Sequence, residues 1–288
     1  MPITSMSEIL AGAKSGGYAV GCFNCIDLAM ARGIVRAAEA ENAPVILCHA
    51  EVHFKYAPLS SVMPILLEEA SKAKVPVALL LDHGKDFDAV VQSMHLGMNS
   101  VMFDGSELEY SDNIAITKEI VKVAHALGKT VEGEIGRVLR PANAGAEGHD
   151  DASLTGDASL YTDPGEAAEF AQKTGVDALA CAFGTVHGVY RKKPKLDFAR
   201  LKAIADSTGV PIVMHGGSGL TADDFKMAIA NGVTKINYYT NLALYVGREI
   251  KKRICAADEP FYHNVLVWAQ DAVYEDTRQA IRLFGGGG

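Results

Sequence analysis

Eight short apolar runs recur along the 288-residue chain, and amphipathic stretches of helical period separate them. The runs are Tyr18 to Asn24, Pro44 to His49, Pro76 to Asp82, Ser100 to Asp104, Lys129 to Ile135, Asp177 to Phe183, Pro211 to His215 and Thr234 to Tyr239. Between them lie helix candidates such as LAMARGIVRAAEAE, SVMPILLEEASKA, DNIAITKEIVKVAHAL and PGEAAEFAQKTG. Strands that are apolar almost throughout must be covered on both faces, which calls for parallel strands joined by crossover helices. Eight such units predict a single-domain (β/α)8 TIM barrel over 1–288, an architecture that normally takes roughly 250 residues. An open doubly wound sheet shares the local pattern, but its dinucleotide fingerprint should follow the first strand, and CFNCIDLAM contains no G-x-G-x-x-G.

Two segments break the repeat. The stretch 136–162 after the fifth strand is polar and rich in Gly, Ala and Asp, and loops of such length are commonly functional, so it is expected to be an active-site loop. The stretch 258–284 predicts an extra C-terminal helical segment packed on a barrel end or on a partner subunit, followed by a disordered glycine tail at 285–288.

A net charge of −8 without a long basic run excludes a nucleic-acid partner, leaving small molecules or copies of the chain itself. No apolar stretch approaches the roughly 20 residues needed to cross a bilayer, so no membrane partner is expected. The five cysteines, an odd number, fit a reducing cytoplasmic location better than a disulfide framework.

Barrel enzymes build their sites where the strands end. Here those positions hold Asn24, His49, Asp82 and His83, Asp104, Glu132 and Glu134, His215 and Asn237, with His187 just past the sixth strand. His83, His187 and His215 follow strands three, six and seven, and three converging imidazoles with an open fourth position describe a catalytic zinc site. A lone strand-end histidine is more often a hydrogen-bonded interior residue; the trio reverses that balance. Asp82 adjoins a ligand candidate and is either a general acid/base or an anchor for a ligand histidine. Asp104 and Glu134 offer an alternative metal position or a set of supports for the first.

In HGGSGLTADDF, Gly216, Gly217, Ser218 and Gly219 precede a helix whose cap is Thr221. Glycines let backbone N–H groups approach an anion, and the loops after strands seven and eight are where barrels commonly bind phosphate. The segment Asn237, Tyr238, Tyr239, Thr240 belongs to the same end.

With D-H-G at Asp82 to Gly84, G-T-V-H-G-V-Y at Gly184 to Tyr190, H-G-G-S-G at His215 to Gly219 and K-I-N at Lys235 to Asn237, the chain resembles the class II, zinc-dependent fructose/tagatose-bisphosphate aldolases. The resemblance implies reversible cleavage of a ketose bisphosphate into dihydroxyacetone phosphate and an aldehyde. It implies zinc on His83, His187 and His215, and Asp82 exchanging the C4 hydroxyl proton. Asn24 lies among the candidate substrate contacts; Gly188, Gly216 to Ser218 and Asn237 to Thr240 would hold dihydroxyacetone phosphate, with a monovalent cation near its phosphate. A glutamate from the loop after strand five would move the C3 proton, and Glu147 is the only glutamate there; Arg137 and Arg140 lie in the same loop. A homodimer or homotetramer is expected. Two alternatives need the same phosphate loops: a metal-dependent sugar-phosphate isomerase or epimerase, and a sugar-phosphate-binding barrel without catalysis. Imine chemistry would need a lysine, and Lys235 is the barrel lysine to test.

Overall fold

The computed structural model describes residues 3–140, 156–188, 190 and 194–287. Each expected run is a strand: β1 (Val20–Asn24), β2 (Val45–Ala50), β3 (Val77–Gly84), β4 (Ser100–Phe103), β5 (Thr130–Ile135), β6 (Ala178–Cys181), β7 (Ile212–Met214) and β8 (Val233–Tyr238). They close in sequence order into a barrel of parallel neighbours, with β1 paired to both β2 and β8. Strands β2, β3 and β7 start one residue after Pro44, Pro76 and Pro211, because a proline has no N–H to give to the ladder.

The two faces of each strand serve different cores. Phe23, Leu47, Leu79, Leu81, Val101, Phe103, Leu179 and Ile236 point outward and pack under the surrounding helices. The inward residues Val20, Ile46, Ala78, Leu80, Met102, Ala178 and Val213 fill the lower barrel. Helix α1 (Met6–Gly16), for which the strand repeat gave no hint, seals that end by laying Met6, Ile9, Leu10 and Ala13 on the inner cluster. Its first turn is fixed by Ser5, whose side chain accepts from the Glu8 N–H at 3.2 Å. The lower end of the barrel is thus plugged by apolar side chains, and the polar strand-end residues gather at the opposite end.

Helices α2 (Leu28–Ala40), α3 (Leu59–Lys72), α4 (Phe87–Leu96), α5 (Tyr110–Ala126), α6 (Pro164–Thr174), α7 (Phe198–Thr208) and α8 (Ala222–Ala230) follow the first seven strands. The eighth place departs from the simple repeat. Helix α9 (Thr240–Ala256) buries only Leu242, whereas α10 (Tyr262–Leu283) buries Ala272, Val273, Thr277, Ala280 and Ile281. The extra helix expected on a barrel end or a partner therefore lies along the barrel's side, against α2, α8 and β1, and α9 packs outside it. Both helices are amphipathic, but α10 lays five residues of its stripe on the barrel side, whereas Leu242 is the one fully buried residue of α9. Phe284 completes the wedge, with its ring 5.1 Å from that of Phe225 and 6.1 Å from that of Tyr238. The glycine tail, expected to be disordered, begins as the cap of α10, where the N–H groups of Gly285 and Gly286 donate to Arg282 and Ile281.

The α2–α10 contact depends on Gly33. A Cβ there would lie 2.6 Å from Val273 Cγ1 and 2.8 Å from the Gln270 carbonyl oxygen, and the backbone oxygen cannot step aside. Gly33→Ala should therefore lower stability by about 1–3 kcal/mol through overpacking despite the better helix propensity of alanine. Urea unfolding of the two proteins, compared at equal slope, measures it.

Candidate active site

Towards the open end, the inner face of the barrel changes from apolar to polar. Asn24, Asp82, Asp104, Glu132, Glu134, His215 and Lys235 are buried there, and Asn237 is half-buried beside them. A regular strand sends neighbouring residues to opposite faces, so Asp82 and His83 should not both reach the interior. They do because His83 adopts a left-handed conformation (φ 48°) and the β3–β4 register shifts between Leu81 and Gly84. A non-glycine residue held there stores backbone strain, which the hydrogen bonds around His83 must offset.

The three histidines meet. The His83 ring centroid lies 5.0 Å from that of His187 and 4.6 Å from that of His215, and His187 and His215 are 5.9 Å apart. His83 Nδ1 lies 2.9 Å from Asp104 Oδ2, and His215 Nε2 lies 2.9 Å from Glu132 Oε1. A ring nitrogen facing a carboxylate carries the proton, so the opposite nitrogens, His83 Nε2 and His215 Nδ1, present lone pairs. Those two atoms face each other at 3.0 Å. Two lone pairs at that distance repel unless a proton or a cation lies between them. His187 adds a third nitrogen, Nε2, buried without a hydrogen-bond partner among the described residues. One proton cannot serve three acceptors, whereas a tetrahedral cation with one open position can; the donor set fits zinc. Burial, with the Arg140 charge next, drives the His187 imidazolium pKa well below the ordinary value, and burial also lowers that of His215, which favours neutral ligands. Burial opposes the charge on His83 as well, but Asp82 and Asp104 outweigh it and raise its pKa.

Asp82 is pinned at both oxygens. Asn24 Nδ2 donates to Oδ2 at 2.8 Å, and Asn237 Nδ2 donates to Oδ1 at 2.8 Å. Burial opposes its ionisation, but the positive field of His83, His215 and Lys235 and the Asn24 hydrogen bond hold its pKa below the usual carboxylate value. Asn24, expected to touch substrate, is already committed: its Oδ1 accepts from the Ala50 N–H at 2.7 Å, so it orients Asp82. Asn237 is similarly held, with Lys235 Nζ donating to its Oδ1 at 2.6 Å. Lys235 Nζ also lies 2.8 Å from Glu132 Oε2, with both side chains fully buried. Burial opposes the ammonium, but neighbouring anionic groups raise its pKa above the ordinary lysine value, and a charged, paired amine is no imine nucleophile.

Asp104 and Glu134 lie beside His83 on its other nitrogen. Arg140 Nη2 contacts Asp104 and lies 3.0 Å from His83 Nδ1, and Lys85 Nζ is 3.0 Å from Asp104. Glu134 has no hydrogen-bond partner at either oxygen among the described residues; burial, reinforced by Asp104, pushes its pKa up to about 8.

The end expected to hold phosphate is shaped by backbone. Gly216 has φ 69°, and a Cβ on it would meet the Val186 carbonyl oxygen at 2.5 Å, so only glycine lets the β6 and β7 loops approach this closely. Tyr190 ties the two loops together, its hydroxyl donating to the Gly216 carbonyl at 2.8 Å and accepting from the Val186 N–H at 2.9 Å. Thr221 caps α8 through a full capping box with Asp224, so the helix end expected to face the anion is already satisfied. The start of α9 has no cap from its own N-cap side chain; Asn241 N–H donates to Ser218 Oγ at 3.2 Å, and Thr240 begins the helix at the cleft. The open N-terminus next to the glycine turn is thus that of α9. Tyr238 lines the cleft, but its hydroxyl pairs with Asp276 on α10, while Tyr239 packs its ring 4.5 Å from that of His53. Gly188 and the other expected metal and substrate positions in the described residues, with Asp82, border one cleft of about 390 Å³. Asp104 and Glu134 do not line it, and Glu147 lies outside the described residues.

A family model described as fructose-bisphosphate aldolase class-II matches residues 4–288. The chain belongs to that family. It is 37% identical to the probable fructose-bisphosphate aldolase of Bacillus subtilis (strain 168) across 99% of this chain and 98% of that one. It is also 37% identical to the fructose-bisphosphate aldolase of Staphylococcus aureus (strain Mu50 / ATCC 700699), again over 99% and 98%. Among solved structures, the YdjI aldolase from Escherichia coli K12 superposes with a TM-score of 0.85 at 32% identity over 99% of this chain and 98% of that one. A putative fructose-1,6-biphosphate aldolase from Coccidioides immitis gives a TM-score of 0.88 at 26% identity over 98% and 96%. Class II aldolases are lyases and are generally zinc-dependent, so this chain is an aldolase by membership, ahead of the isomerase and silent-binder alternatives.

Sequence reading had singled out Glu132 and Lys235 without their partnership, and it gave Arg140 no role. The signal for the first pair was available: both sit on barrel strands at interior parity, and two buried opposite charges in one barrel must meet. Lys235→Met should cost about 3–5 kcal/mol of stability, the usual result of stranding one member of a buried ion pair. Lys235→Met combined with Glu132→Leu should recover part of that loss of stability in denaturant titration, but not activity, since His215 and Asn237 both lose their anchors.

Proposed function

We propose that the chain cleaves a ketose 1,6-bisphosphate, fructose 1,6-bisphosphate being the substrate named for its relatives, into dihydroxyacetone phosphate and an aldehyde phosphate. The observation that carries the reading is the pair of facing imidazole lone pairs, 3.0 Å apart, beside a carboxylate pinned by two amides at the mouth of a cleft. His83, His187 and His215 would hold one zinc ion. When bound, such an ion supplies Lewis acidity at the substrate carbonyl and stabilises negative charge that develops on the adjoining oxygens.

The chain's own residues supply the rest. The Gly216 to Ser218 turn and the α9 N-terminus at Thr240 offer N–H groups to the dihydroxyacetone phosphate end, which places the C3–C4 bond over Asp82. The ionised Asp82 takes the C4 hydroxyl proton; that O–H pair becomes the aldehyde carbonyl, and the C3–C4 pair stays with the three-carbon fragment. Asn24 and Asn237 keep the carboxylate from rotating away as its charge changes. A proton delivered to C3, by Glu147 in this reading, then yields dihydroxyacetone phosphate. Gly188 belongs to the same substrate wall, and a monovalent cation beside the phosphate is part of the proposal. Glu132, tied to His215 and Lys235, has no free role as a base.

The reading extends to assembly and location. Phe261, Tyr262, Leu266 and Val267 expose 58%, 77%, 45% and 56% of their surface around the start of α10, a patch that a second copy in a homodimer or homotetramer would cover. All five thiols are unpaired, in keeping with a reducing cytoplasm, and among the described residues no helix is long and apolar enough to cross a membrane.

Exhaustive chelation should abolish cleavage and added zinc should restore it, while borohydride with substrate should leave activity intact; turnover by metal-free protein would overturn the mechanism. Asp82→Ala should abolish cleavage yet retain much of the solvent exchange of the C3 proton of dihydroxyacetone phosphate. Glu147→Ala should slow both by roughly 10²- to 10⁴-fold. Deuterium incorporation read by NMR separates the two variants, and wild-type exchange in Glu147→Ala would remove Glu147 from the mechanism.

A further inference from the structure

Two groups of side chains could each hold a divalent ion, and they share a residue: His83 with His187 and His215, and His83 with Asp104 and Glu134. Within each group the ligand atoms lie within 4.8 Å of one another. Geometry alone does not choose between them. Charge does, because the second group already contains cations. Arg140 Nη2 contacts Asp104 Oδ2, and Arg140 also acts electrostatically on Glu134. Lys85 Nζ lies 3.0 Å from the same Asp104 oxygen, and the other oxygen accepts from the Ser106 N–H and hydroxyl at 3.2 and 2.6 Å. Asp104 therefore has both oxygens engaged. The Asp104 carboxylate and the Glu134 carboxyl group face two fixed positive charges, and a divalent ion entering there would meet an arginine at contact distance of Asp104.

The position of Arg140 is built in. Its side chain is only 12% exposed. Its backbone neighbour Leu139 forms a parallel bridge with Val186 and accepts the His187 N–H at 2.8 Å. The chain that carries a ligand of the first group therefore also holds the guanidinium over the second.

We propose that Arg140 is a resident cation at the Asp104–Glu134 carboxylates that excludes a divalent ion from them and confines it to the three histidines. The inference rests on the three-histidine reading above and goes beyond it in assigning Arg140 a role. A guanidinium suits the task because it cannot lose its charge, and its planar fork matches carboxylates.

Equilibrium dialysis of the full chain against Zn²⁺, with metal counted per chain, tests it. Wild type should bind one ion and Arg140→Met two, and adding Glu134→Gln to Arg140→Met should return the count to one. Equal counts in wild type and Arg140→Met overturn the proposal. A second measurement leaves Arg140 in place, in case its loss prevents folding. Glu134→Gln alone should keep the single ion with affinity changed less than about threefold, whereas loss of that ion would place it among the carboxylates and overturn the proposal. His187→Ala separates the two layers: retention of the ion in that variant counts against the three-histidine reading itself, independently of the Arg140 comparison. With Co²⁺ in place of Zn²⁺, the second ion of Arg140→Met should add only weak visible bands, as expected for an oxygen-rich site of higher coordination.

Discussion

A single buried ion pair, Lys235 with Glu132, underlies the arrangement of the active site. An unpaired charge at the centre of a barrel would be prohibitively costly, and a paired one is tolerated only when its remaining donors and acceptors are satisfied. Here they are satisfied by functional groups. Glu132 accepts a hydrogen bond from His215 Nε2–H and so turns the other nitrogen toward His83; Lys235 donates to Asn237, which in turn donates to Asp82. The orientation of His215, proposed as a metal ligand, and that of Asp82, proposed as the proton-transfer carboxylate, thus share an origin in one buried pair. Buried polar networks of this kind favour one geometry because every alternative leaves a charge unmatched.

The barrel divides the work between its ends. Below, α1 and the inner apolar residues form an apolar plug that contributes stability. Above, the same strands end in carboxylates, amides and imidazoles that could not be buried individually but can be buried together. The proposed phosphate site uses backbone N–H groups of the glycine turn and the α9 terminus, which would let an acidic chain of net charge −8 receive an anionic substrate. The chain is a member of the class II aldolases, and the proposed chemistry is placed where its polar strand ends converge. The arginine beside Asp104 comes from the loop that follows strand five.

Side-chain parity, turn chemistry and a short list of polar strand-end residues were legible in the sequence because each is a local property. The eight strands, the capping Thr221 and the helical segment within 258–284 follow from periodicity and residue type, and the three histidines follow from their placement at strand exits. Parity also misleads at one point: it sends Asp82 and His83 to opposite faces, and only the left-handed backbone at His83 reunites them. Asn24 and Asn237 could be named as site residues, but their direction toward Asp82 could not be inferred, since an amide's partners lie on other strands.

The sequence alone determined the (β/α)8 repeat, the polar end of the barrel and the residue types available for metal and proton chemistry, because these depend on hydrophobic period and on functional groups that no fold can change. Tertiary structure decided which helix seals the barrel wall, which helix terminus stays open to an anion, and which cation sits beside Asp104 and Glu134. Each of those outcomes is a competition between groups far apart in the chain, such as α9 with α10 against α2, or Arg140 with a metal ion. The winner is set by packing and by net charge at the meeting point, neither of which exists until the barrel has closed.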